Sequence, residues 1–108
     1  MADPIALADA NFQQEVLQAP GTVLVDFYAD CCGPCRAMAP IVADLANEFA
    51  GKVKICKLDV MENQQTTEQF GIMNIPTMII FKGGKPVERI VGMLGKSALQ
   101  AKLTQHSS

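Results

Sequence analysis

Cys32-Gly33-Pro34-Cys35 sets two thiols three positions apart, with a permissive residue and a rigid one between them. Thiols at that spacing can cycle between a dithiol and a disulfide, or supply two ligands to a metal. Redox cycling needs one exposed, deprotonated thiol and a second within a helical step of it. The start of a helix meets that need, because its unpaired N–H groups and the positive end of its macrodipole both stabilise a thiolate on Cys32. Cys32 would then attack a substrate disulfide, and Cys35 would resolve the mixed disulfide. Pro34 restrains the backbone between them and Gly33 lets a partner approach. The same spacing is half of a zinc site, but a structural zinc site takes four ligands, and the chain has no second Cys pair and a lone His106 near its end.

Two further cysteines complete the set. Cys31 stands directly before Cys32, and a disulfide between adjacent residues would be strained, so a free, oxidisable thiol is expected there, open to glutathionylation or an intermolecular disulfide. Cys56 is expected to be buried and inert. Asp26 lies in the middle of the apolar run Thr22 to Ala29, where an ionised carboxylate would cost several kcal/mol to bury and should hold its proton to higher pH. It reads either as a buried acid that accepts the proton of Cys35 or as a carboxylate that bonds a cap or loop. Lys57 is a candidate partner for Asp26, or a strand lysine reaching solvent. Ile75-Pro76-Thr77 at a strand entrance fits a cis peptide that leaves backbone groups free to pair with an extended substrate, with an ordinary trans proline as the alternative.

The elements that must hold these groups follow from the pattern of apolar residues. Thr22 to Ala29 is apolar on both alternating faces, as a central strand of a parallel sheet reads. From Pro34 to Phe49 the residues Cys35, Met38, Val42, Leu45 and Phe49 recur at helical steps, with Pro34 in the first turn and Pro40 inside, where a bend is expected. A second strand over Lys52 to Val60 completes a βαβ unit and so a parallel pair. A short helix is expected over Asn11 to Gln18, capped by Asn11 and Gln14, and another over Glu62 to Phe70, ended by Gly71. Thr77 to Phe81 and Val87 to Val91, joined by Lys82-Gly83-Gly84-Lys85, read as an antiparallel hairpin. A last helix spans Lys96 to Gln105, with Gln105 to Ser108 expected to fray.

Composition narrows the function further. With 108 residues, 49% of them hydrophobic, the chain is expected to form one α/β domain over 1–108. A formal charge of −2 gives no basic surplus for a phosphate backbone, so nucleic acid is not an expected partner. No apolar run approaches the roughly 20 residues of a membrane span, and Met1-Ala2-Asp3-Pro4 does not read as a signal peptide. A cytoplasmic monomer without a membrane partner is expected, in a compartment where a close Cys pair points to redox or metal chemistry rather than a structural bridge.

Taken in order, Val25-Asp26-Phe27, Cys32-Gly33-Pro34-Cys35-Arg36, Pro40, Lys57, Ile75-Pro76-Thr77, Phe81-Lys82-Gly83-Gly84 and Val91-Gly92 resemble thioredoxin over roughly Asp3 to Gln105. The resemblance implies the thioredoxin fold, a cis Ile75-Pro76 bond, Cys32 as nucleophile, Cys35 as resolving thiol and Asp26 as buried proton acceptor. It also implies reduction of protein disulfides, re-reduction by an NADPH-dependent thioredoxin reductase, and no bound cofactor. Lys57 joins the catalytic set, and Cys31, Gly33, Pro34, Ile75, Pro76, Gly92 and Met93 are the expected substrate-binding residues. Met61, Met73 and Met93 border the substrate groove by the same resemblance, where flexible thioethers suit varied partners; core filling is the alternative. The chain departs from the family at Cys31 and Tyr28, both usually Trp, and it contains no Trp at all. Two other classes compete: a soft-metal carrier binding copper(I) through Cys31, Cys32, Cys35 and a nearby Met, and a non-catalytic interaction subunit.

Overall fold

A computed structural model describes residues 2–107. Its five strands are β1 (Ile5–Leu7), β2 (Thr22–Tyr28), β3 (Val53–Asp59), β4 (Thr77–Lys82) and β5 (Lys85–Val91), and they form one sheet in the order β1-β3-β2-β4-β5. Helices α1 (Gly33–Glu48), α2 (Gln64–Gln69) and α3 (Lys96–His106), with a π-helical turn at Gln13–Leu17, complete the chain. The architecture is the thioredoxin fold.

β2 is buried along almost its whole length because it has a neighbour on each edge and a core on each face. It pairs parallel to β3 and antiparallel to β4. Side chains alternate between faces of a strand, so Leu24 joins Met38, Val42 and Leu45 of α1 and Leu99 and Leu103 of α3, while Val23, Val25 and Phe27 face Phe12, Val16 and Phe81. Asp26 falls on the α1 face, beneath the start of that helix. Cys56 packs with the opposite core, on the other side of the sheet from Cys35.

α1 continues through Pro40, which forgoes one intrahelical N–H bond. Its N-cap is Cys32, whose Sγ accepts from the Cys35 N–H at 3.2 Å, so the reactive sulfur itself fills the place usually taken by a Ser or Asp oxygen. The β4–β5 hairpin turns at Gly83 and Gly84, with φ of +59° and +81°. A turn with two positive φ angles matches the twist of the strands it joins. At Gly84 space is the tighter limit, since a Cβ there would run into the Leu17 carbonyl.

Three expectations need correction. The short helix expected over Asn11 to Gln18 forms over the narrower range Gln13–Leu17 and as a wider, π-helical turn, with Gln18 N–H reaching Gln13 O at 2.9 Å. Asn11 does not cap it with Gln14, because the Asn11 Oδ1 is taken by the Ala8 N–H at 2.8 Å. The strand β1 has no signature in the sequence, since three residues, two of them exposed, are too few to show a period. Nor does the C-terminus fray from Gln105: α3 runs through His106, whose Nε2 meets Glu88 Oε1 at 3.1 Å and whose carbonyl accepts from Thr22 Oγ1 at 2.6 Å. The last residue of the expected tail, Ser108, lies outside the described residues.

Candidate active site

The loop after β2 carries Cys32 and Cys35 to the N-terminal end of α1. Their sulfurs are bonded to each other, with a Cα–Cα separation of 5.2 Å. Burial divides the pair: Cys35 is 3% exposed, while Cys32 is half-buried and Gly33 and Pro34 beside it are open to solvent. An incoming sulfur can therefore reach Cys32 and not Cys35. Arg36 steadies the loop by donating from Nη1 to the Asp30 carbonyl at 2.9 Å.

Facing the pair is the segment that enters β4. The Ile75–Pro76 peptide bond is cis, and the Ile75 carbonyl lies 3.9 Å from Cys32 Sγ. Gly92 donates its N–H to the Pro76 carbonyl at 2.9 Å, with φ at +90°, so the end of β5 is turned toward the same place. The chain thus brings Cys32, Gly33, Pro34, Ile75, Pro76 and Gly92 to one end of the sheet. Met73, two residues before Ile75, and Met93, next to Gly92, are 90% and 56% exposed, and Met61, two residues beyond the end of β3, is 66% exposed. None of the three fills the core.

Beneath the disulfide, Asp26 and Lys57 are direct partners across β2 and β3. Asp26 is 4% exposed and its Oδ1 has no hydrogen-bond partner, which excludes a capping or loop-bonding role for that oxygen. Burial pushes its carboxyl up to about 6, with the positive charge of Lys57 opposing the rise. Lys57 is only half-buried and sets its ammonium 5.8 Å from the centre of the Tyr28 ring, so it is both the charge beside Asp26 and a lysine that reaches toward solvent. A cleft of about 540 Å³ opens here between β2, β3 and α1, and Asp26, Lys57 and Cys35 all line it. Acid and buried thiol therefore share one cleft.

Cys31 is free and exposed, and Cys56 is free and buried, with desolvation driving its thiol up to about 12. Among the described residues no three His, Cys, Asp or Glu side chains are grouped so as to hold a metal ion, and no helix is long and apolar enough to cross a membrane. Sequence reasoning missed the outer edge of the cleft. Asp3 and Pro4 form it, against Ala39 and Ala43 of α1, and the only trace in the sequence is the run of alanines at helical spacing.

A helix-capping cysteine paired with a buried one, set against a cis-proline loop on a five-stranded mixed sheet, defines a thiol–disulfide oxidoreductase. The family model named Thioredoxin matches residues 3–105. Thioredoxin of Alicyclobacillus acidocaldarius is 54% identical over 99 residues, covering 92% of this chain and 93% of that protein. Thioredoxin 1 of a Nostoc species is 44% identical over 106 residues, covering 98% and 99%, and thioredoxin of Pseudomonas aeruginosa is 46% identical over 97 residues, covering 90% of each. The chain belongs to the thioredoxin family.

Proposed function

We propose that this oxidoreductase works as a general reductant of protein disulfides, with Cys32 as nucleophile, Cys35 as resolving thiol and Asp26 as the acceptor of the Cys35 proton. The burial difference between the two sulfurs carries the assignment. In the reduced protein the Cys32 thiolate, held by the first N–H groups of α1, attacks one sulfur of a target disulfide. A bond forms from Cys32 to that sulfur, the target's S–S bond breaks, and its other sulfur leaves as a thiolate that takes a proton from solvent. Asp26 takes the Cys35 proton through the shared cleft, and Cys35 then attacks Cys32 Sγ. The Cys32–Cys35 disulfide forms as the bond from Cys32 to the target breaks, the second target sulfur leaves as a thiolate that is protonated from solvent, and two electrons have passed to the target.

Ile75, Pro76, Gly92 and Met93 border the path to Cys32 and offer an extended target backbone groups and soft apolar contacts; Cys31, Gly33 and Pro34 form the opposite rim. Lys57 lowers the cost of ionising Asp26. An NADPH-dependent thioredoxin reductase would restore the dithiol, and a cytoplasmic monomer of one domain over 1–108 fits an exposed thiol at Cys31. The test is insulin reduction together with trapping. Cys32→Ser is expected to abolish turnover, and Cys35→Ser to accumulate a covalent complex through Cys32 that mass spectrometry detects. A variant that traps its target through Cys31 and never through Cys32 would overturn the assignment.

A further inference from the structure

The floor of the Asp26 cleft is the sheet and one wall is α1, but its outer edge is neither. Ala39 and Ala43 present short side chains along that side of α1, so a trough of about 540 Å³ remains where larger residues would have closed the seam against β3. Asp3 and Pro4 lie over the edge of this trough. They are fastened at both ends. Ala2 donates its N–H to Asn47 Oδ1 of α1 at 2.8 Å, and on the other side β1 pairs with β3 in a register that sets Ala6 beside Lys57. Residues 2–4 therefore cross from sheet to helix as a strap. A second cleft of about 590 Å³ is lined by Ala2, Asp3, Ala46 and Ala50, so Asp3 of the strap borders both clefts.

The charged groups about the cleft come from every element packed there: Lys57 on β3, Arg36 on α1, Asp30 in the loop after β2, and Asp3 on the strap. On its other edge Asp26 pairs with Met78 of β4, which carries no charge. Lys57 favours the ionised form of Asp26, and burial opposes it more strongly.

We propose that residues 2–4, pinned by Asn47 and by β1, are a positioning strap that limits water at the mouth of the Asp26 cleft and thereby sets the pH range over which Asp26 can take the proton of Cys35. The proposal rests on the reading of Asp26 as proton acceptor, and the two are separable by experiment. Asn47→Ala removes the anchor at an exposed helix position with a better helix former, so the fold is retained. A double change, Asp3→Gly with Pro4→Gly, thins the cover itself, and Asp3→Asn removes only its charge. The midpoint of Asp26, read by carbon-13 NMR of its carboxyl in the oxidised protein, is expected to fall by about one unit in the double variant, by less in Asn47→Ala, and not at all in Asp3→Asn. The low-pH limb of insulin reduction should move with it. An unchanged midpoint in both Asn47→Ala and the double variant overturns the strap, and so does an equal fall with Asp3→Asn alone. If instead Asp26→Asn keeps the low-pH limb of the wild type, the acceptor reading fails, whatever the NMR midpoints show.

Discussion

Asp26 is the residue at which stability and chemistry oppose each other. Its carboxyl is raised from 3.8 to about 6 in the folded protein, so between those values the folded state binds more protons than the unfolded state. Stability from this group is therefore full below about pH 4 and is lost as pH rises through about 6. At neutral pH the ionised residue costs the fold about 3 kcal/mol. Asp26→Asn is expected to raise the unfolding free energy at pH 7 by an amount of that order, to remove the decline between about pH 4 and pH 6, and to slow disulfide reduction. Urea unfolding at several pH values checks the first two; a variant no more stable than the parent at pH 7 would refute the account. The neighbouring question is Cys31. The oxidised native protein should take up one equivalent of iodoacetamide, at Cys31, and a second only in denaturant, when Cys56 is exposed. Mild oxidation in the presence of glutathione should then modify Cys31 first, and peptide mass spectrometry showing that thiol untouched would remove it as an oxidation site.

At the scale of elements, the chemistry-bearing parts were the most legible. The two-sided run of β2, the helical stripe from Cys35 to Phe49 and the turn signal at Gly83-Gly84 each rest on many residues that agree, and each element lies within a residue or two of where its pattern places it. The failures share a cause. A three-residue edge strand, a cap lost because Asn11 bonds Ala8, and a C-terminus fastened by Glu88 and Thr22 all depend on contacts with residues far along the chain or on a competing local bond. The site divides in the same way: the cysteines and Asp26 announce themselves by type and position, whereas the strap of residues 2–4 is invisible until β1 and Asn47 are seen to hold it. Gly84 shows how strictly a legible turn can be enforced. Gly84→Ala meets both a positive φ and the Leu17 carbonyl, so a loss of about 2 kcal/mol or more is expected, whereas Gly83→Ala meets only the φ penalty and should cost less. Chemical denaturation of the two variants side by side decides it, and equal losses would refute the steric argument.

Across the whole molecule, the two cores share the strands between them, so neither can dissolve while the other stands. A single cooperative unfolding transition is expected. Surface ion pairs such as Lys54 with Glu15 at 2.7 Å or Lys96 with Glu48 at 2.5 Å are partly exposed and contribute at most about 1 kcal/mol each, so that transition should depend little on salt. The probe for it is built in. With no Trp in the chain, Tyr28 is its sole tyrosine, and it closes β2 beside the cleft, with Lys57 over its ring and the charges of Asp59, Asp30 and Asp26 acting on its hydroxyl. Light absorbed and re-emitted near 300 nm comes from that one ring. Its melting curve should coincide with that of far-ultraviolet circular dichroism. In the folded protein the same emission becomes a reporter of the cleft that Asp26, Lys57 and Cys35 line, readable without any label.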